Sequence, residues 1–171
     1  MDMKPDLEGL RLLGEHLNDP TRGDEEVVDK QGRRWRARRN PEPGVRLILE
    51  SLDTPGPPLT MYERLAERPA GYPADLPFMA GAAVAVAGMP SAPASRMVIW
   101  SQMDDAEAFA KALQEQGEAE GWETTRPLSS MAGFPMSVGE ARRGGARRLM
   151  SVMSAGERSA VTLMQTSDDE T

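Results

Sequence analysis

Residues 96–126 set a continuous apolar run, a capped amphipathic helix and a second extended segment in direct succession, and this succession restricts the fold more than any other stretch. RMVIWSQM at 96–103 is short and almost unbroken in apolar residues, as expected of a strand buried in the middle of a sheet. Ala106, Phe109, Ala110, Leu113 and Gly117 then recur at helical spacing and form one stripe. Asp104 has the side chain of an N-cap, with Glu107 three residues on. Gly121 stands where a left-handed C′ residue is needed, and Trp122 where it can pack back on the last turn. A helix of about sixteen residues is roughly 24 Å long, enough to cross four or five strands at about 4.8 Å each.

Period-two patterns flank that helix. GAAVAVAGM (81–89) precedes it; ETTRPL, GFPMSVGEARR, RRLMSVMSA and RSAVTLMQT follow, with Gly144-Gly145 and Ala155-Gly156-Glu157 as turns. The pattern predicts an α+β protein: an antiparallel sheet of five or six strands, in the element order β-β-α-β-β-β-β, covered by one main helix over 104–120.

Upstream, residues 4–19 have Leu7, Leu10, Leu13 and Leu17 at helical spacing, with Asp6 as the cap. EEVVD and RRWRARR read as two strands around Lys30-Gln31-Gly32, and VRLILESL (45–52) as a third. LTMYERLAER suggests one or two helical turns carrying Leu59, Tyr62 and Leu65. RPAGYPADLP at 68–77 has three prolines, which favours extended or irregular chain. The expected organisation is a helix-plus-hairpin unit over 1–67, a Pro-rich linker over 68–77, the main domain over 78–166 and a disordered acidic tail over 167–171.

The residue types present exclude several kinds of chemistry. With no cysteine, the chain can form neither a disulfide nor a thiolate site. The single histidine, His16, excludes HExxH, and no Gly-rich phosphate loop or GxSxG is present. Asp104 and Asp105 open a helix, where the dipole favours the charged form, so capping explains them better than acid catalysis. We therefore expect no catalytic residue, no metal ligand and no cofactor. No apolar run is long enough to cross a bilayer as a helix.

One stretch invites a binding role. Residues 30–39 hold six basic side chains and no acid. On a strand, Arg34, Arg36 and Arg38 share one face, with Arg33, Trp35 and Arg39 on the other. Those six residues are the candidate anion or partner site, with Trp35 as a stacking platform for nucleic acid. The net charge of −7 argues against nucleic acid as the main partner. Residues 104–123 carry seven acids and one lysine, and Arg142, Arg143, Arg147 and Arg148 are cationic, so pairing within the chain or with a second copy is the simpler use of the arginines.

Asp75-Leu76-Pro77-Phe78, Gly81-Ala82, Asp104-Asp105, Phe109, Leu113 and Gly121-Trp122 together resemble the pattern of small bacterial extracytoplasmic domains, often lipoprotein-borne or tethered by a Pro-rich linker. The resemblance covers about 74–166. It departs at Ala110, where those domains have Tyr, and at PSAPAS, where they have a polar loop. It implies a fold and a cell-envelope location if a leader has been removed, or a cytoplasmic one otherwise, and brings no catalytic residue. The expected function is a non-enzymatic binding or assembly module of the envelope with a protein partner, self or envelope component. The alternatives are an anion- or nucleic-acid-binding module using residues 33–39, and an enzyme with a carboxylate site not visible in sequence.

Overall fold

The computed structural model describes residues 6–54, 56–88, 95–130, 133, 135–154 and 159–166. The expected Ala155-Gly156-Glu157 turn, most of PSAPAS and the acidic tail lie outside them.

Helix α1 (Leu7–Asn18) starts where Asp6, in extended backbone, accepts the Gly9 N–H at 3.1 Å. The first four amides of a helix have no internal partner, and a carboxylate satisfies one while complementing the dipole. Gly9, Leu12, Leu13 and His16 form the buried stripe. At Gly9 a Cβ would stand 3.0 Å from both the Trp35 ring and Leu59, so the missing side chain lets α1 lie directly on the sheet.

Strands β1 (Glu25–Val28), β2 (Arg34–Glu42), β3 (Val45–Ser51) and β4 (Leu59–Tyr62) follow, then β5 (Ala83–Gly88), β6 (Arg96–Ser101), helix α2 (Ala106–Ala119), and β7 (Glu123–Ser130), β8 (Met136–Arg143), β9 (Ala146–Met153) and β10 (Ala160–Thr166). Among the described residues all ten strands join one sheet, in the order β1-β2-β3-β4-β5-β6-β10-β9-β8-β7, every pairing antiparallel.

The protein is thus α+β, but the expected five or six strands become ten and the spatial order differs. Two physical causes account for this. LTMY is a strand rather than a helical start, and β4 pairs with β3 on one side and β5 on the other, joining the N-terminal hairpin to the later strands. Strand β10 returns to the middle, between β6 and β9, which sends β7 to the edge. Residues 68–77 do not merely connect: Tyr72 and Leu76 are buried, and Tyr72 packs edge-on against Phe78 and tilted against Tyr62. Burial pushes the Tyr72 phenol well above its usual range, and its hydroxyl donates to the Pro77 carbonyl at 2.6 Å.

Period-two alternation feeds two cores, one on each face. Leu47, Leu49, Leu59, Met61, Ala83, Ala87 and Met97 meet Leu12 and Leu13 of α1. Val84, Val86, Val98, Trp100, Val161 and Leu163 meet Ala106, Ala110 and Leu113 of α2. Burial of β5 and β6 on both faces explains why their sequences are apolar at nearly every position.

The N-cap of α2 is Asp105, not Asp104: its carboxylate accepts the Ala108 N–H at 3.1 Å. Glu107 then falls one position short of a capping box. At the other end Gly121 takes φ +95°. Its N–H donates to the Glu118 carbonyl at 3.1 Å, and the Trp122 N–H to the Gly117 carbonyl at 2.9 Å, which together make a Schellman end. A β-branched residue at Gly121 cannot adopt that φ without strain. Gly121→Val is expected to lower the free energy of unfolding by about 1 kcal/mol or more, read as a lower denaturant midpoint in chemical melts. An unchanged midpoint would contradict the left-handed helix end.

Candidate functional site

The basic hairpin is the first place to look, since the sequence singles it out. The predicted face alternation is present, with Arg34, Arg36 and Arg38 exposed and Trp35 and Ala37 buried. Trp35 is 2% exposed, sits in the α1 core and donates its Nε1–H to Asp29 at 3.0 Å. Its ring is closed to a stacking base. Arg33 forms a two-pronged pair with Asp6, both contacts at 2.8 Å, and reaches Asp29 at 3.0 Å. Arg34 pairs with Asp53 at 2.8 Å and Arg36 with Glu26 at 3.2 Å. Arg39 donates to the carbonyls of His16, Arg22 and Asp19, tying the end of α1 and the following turn to β2. Across the outer face Glu26, Arg36 and Glu50 lie in register, a row of alternating sign. Among the described residues Arg33, Arg34 and Arg36 form ion pairs, the Arg39 side chain binds carbonyls alone, and Arg38 does neither. The hairpin's cations are largely consumed by the chain's own acids.

Asp29 organises this region. It accepts the N–H groups of Gln31 and Arg33 across the β1–β2 turn as well as the Trp35 indole. Burial alone would raise its carboxyl, but the Trp35, Arg33 and Gln31 N–H groups outweigh that and hold it below the usual carboxylate range. His16 is fully buried, with Nδ1 2.8 Å from the Leu12 carbonyl and Nε2 2.9 Å from Glu25, whose other partner is Arg22. The lone histidine fastens α1 to β1.

A second region has the geometry of a receptor. Helix α2 reaches the start of β7 through Gln114 and Glu118, which both bond the Thr124 hydroxyl, and beyond that contact a groove of about 560 Å³ runs between helix and strand. Glu107, Lys111, Glu115 and Glu118 form its helical wall; Pro127, Leu128 and Val152 form an apolar floor and flank. The wall spans twelve residues of helix, eleven rises that together make roughly 16 Å, the length of about five residues of extended chain. Three carboxylates face one ammonium along it, and Lys111 makes no ion pair among the described residues. The expected counterparts of these acids are engaged elsewhere: Arg142 and Arg147 both bind Glu140, at 3.1 and 3.0 Å, and Arg143 donates to the Glu120 carbonyl. Strand β7 is an edge with Pro127 and two register irregularities, the features that discourage addition of another strand. An occupant would therefore lie in the groove rather than extend the sheet.

The seven-to-one acid excess of residues 104–123 is visible in the sequence, but its place beside a groove is not. Only the insertion of β10 pushes β7 to the rim and opens a trough beside the acids.

Under the sheet-facing side of α2 lies a small cavity of about 30 Å³, lined by Gly117, Trp122, Arg126, Glu140 and Arg148 among others. Arg148 is 6% exposed and stacks its guanidinium 3.9 Å from the Trp122 ring centroid. Its Nε–H donates to Gln165 at 2.8 Å, and Gln165 in turn donates to the Asp75 carbonyl. Burial pulls Arg148 down to about 10, with Glu120 and Asp75 opposing the fall from a distance.

Asp29→Asn would keep the shape but lose a charged acceptor serving four N–H donors, with an expected cost of about 2–3 kcal/mol. The native carboxyl is held low when folded, so its contribution is complete above the unfolded carboxylate range near pH 4 and is lost as pH falls through the lower folded value. Denaturation between about pH 2 and 5 should therefore show a shallower pH slope in the variant. Equal slopes would mean that Asp29 is not a charged hub.

No family model matches the chain, and comparison with curated proteins and with solved structures finds no match.

Proposed function

We propose that this protein is a non-enzymatic binding module whose α2–β7 groove holds an extended, basic segment of a partner protein. The carrying observation is the combination of an acidic wall and an apolar floor in a trough the length of about five extended residues. An extended chain sends alternate side chains to one side, so a Lys or Arg near one end can meet Glu107 and another, about 12 Å on, can meet Glu115 and Glu118. The intervening aliphatic residues then lie on Pro127 and Leu128. The resemblance of residues 74–166 to bacterial extracytoplasmic domains supports an envelope setting for that partner.

Binding of this kind is modest in strength. Rim ion pairs contribute a few tenths to about 1 kcal/mol each, and an exposed apolar floor adds little more, so the affinity expected is micromolar or weaker and falls with salt. Specificity would come from charge sign and spacing rather than from area.

A fluorescently labelled peptide of alternating Lys and Leu provides the test, titrated by anisotropy at low salt. Reversing two wall charges, Glu115→Lys with Glu118→Lys, should weaken binding roughly tenfold, while the Arg34→Glu, Arg36→Glu variant should bind like the native chain. Absence of binding at low salt, or equal affinity for the reversed wall, would remove the groove as the receptor.

A further inference from the structure

Lys111 stands in the middle of the groove's acidic wall. Along α2, Glu107, Lys111 and Glu115 follow one another at four-residue steps of about 6 Å, and at about 100° per residue they fall within roughly 80° of the helix circumference. All three are exposed and line the groove. The wall therefore alternates in sign, negative, positive, negative, over about 12 Å. Beyond it Glu118 accepts the Thr124 hydroxyl at 3.1 Å. None of Glu107, Lys111 and Glu115 makes an ion pair among the described residues.

Two periodicities coincide here. Same-side residues of an extended chain lie about 6.6 Å apart, close to the step of about 6 Å between helical positions i and i+4. Three alternate side chains of an occupant thus face Glu107, Lys111 and Glu115 in turn, with a mismatch of about 1 Å over the whole span. Long charged side chains absorb a difference of that size. The outer two positions call for cations, and the middle one does not. On the free helix Lys111 can turn to the carboxylates four residues before and after it. Cations of the occupant take those carboxylates, which leaves Lys111 between two positive charges. A third cation opposite it would meet a like charge, whereas an Asp or Glu would restore the alternation. A uniformly basic chain is therefore mismatched to this wall, although the wall is acidic in sum.

Granted the α2–β7 groove as the receptor proposed above, we propose that Lys111 is its specificity-determining residue. The partner segment then carries cation, acid, cation at alternate positions, with aliphatic residues between them. The segment stays net basic, as the acid excess of the wall requires.

Peptides of one composition test this register. Lys-Leu-Glu-Leu-Lys sets its acid opposite Lys111, while Glu-Leu-Lys-Leu-Lys and Lys-Leu-Lys-Leu-Glu set it at an end. Acetylated and amidated, all three have the same net charge, so long-range attraction cancels from the comparison. By anisotropy at low salt the native chain should bind the first roughly fivefold tighter than the other two, the ratio of a favourable to an unfavourable exposed charge contact. Lys111→Glu should bring the three affinities together, and Lys111→Gln should leave an intermediate preference. Both changes fall at an exposed helical position and introduce good helix formers. Equal affinities on the native chain, or a preference that persists in Lys111→Glu, would overturn the role of Lys111 while the groove still binds the peptide of alternating Lys and Leu. Loss of binding by that peptide as well would remove the groove and the register together.

Discussion

Three residue pairs join the two halves of this molecule: Thr60 with Val86, Met61 with Ala85 and Tyr62 with Val84, in the β4–β5 ladder. Everything else about the architecture depends on that seam. One core takes Leu59 and Met61 from β4 together with Ala83, Ala87 and Met97 from the strands beyond, under α1. The other takes Tyr62 together with Val84 and Trp100, under α2. The helices lie on opposite faces, so neither can seal the sheet alone, and strands near the seam must be apolar on both sides. A sheet of ten strands with both faces partly covered gains from burial what two small separate units would lose to their larger relative surface.

Charge is spent in two distinct ways on the two halves. Around α1 the arginines are absorbed by short-range pairs and carbonyls. Asp6, Asp29 and Asp53 take Arg33 and Arg34, and the end of α1 takes Arg39. Such pairs specify how the helix, the turn and the hairpin meet more than they stabilise the whole. Around α2 the arginines gather on strands β8 and β9, where Glu140 and the Trp122 ring receive them. Of the outer acids of α2, Glu107 and Glu115 are left facing solvent while Glu118 accepts the Thr124 hydroxyl, and the groove beside β7 inherits their sign. The acidic wall is thus a by-product of where the basic strands were placed.

Much of the secondary structure could be read from the chain. Asp6 and the leucines of α1, the hairpin around Gly32, the α2 stripe and the Gly121-Trp122 end all follow from local steric and hydrogen-bonding rules acting within a few residues. Two local readings failed for informative reasons. Leu59, Tyr62 and Leu65 have helical spacing, but Leu59–Tyr62 gains more by pairing on both sides than by forming a helical turn. Asp104 and Asp105 have the same chemistry, and only backbone geometry decides that Asp105 reaches the Ala108 amide. The candidate site was less legible. The basic cluster at 33–39 stood out because charge runs are conspicuous in one dimension, whereas the groove and the cavity draw their walls from α2, β7, β8 and β9, far apart in sequence.

The sequence by itself determined most of the helical and extended segments, Leu59–Tyr62 excepted, where α2 stops, which faces are apolar, and that neither thiol chemistry nor a histidine cluster is open to the chain. These are properties of spacing, φ preference and residue type, and they act locally. Tertiary structure alone decided that β4 fuses the halves, that β10 inserts at the centre, that Trp35 is core rather than platform, and that Arg148 is buried against Trp122 without a carboxylate. Each of these is a matter of which surface meets which across long chain separations. That outcome is set by the summed burial and pairing of the whole sheet, to which no single stretch of residues holds the key.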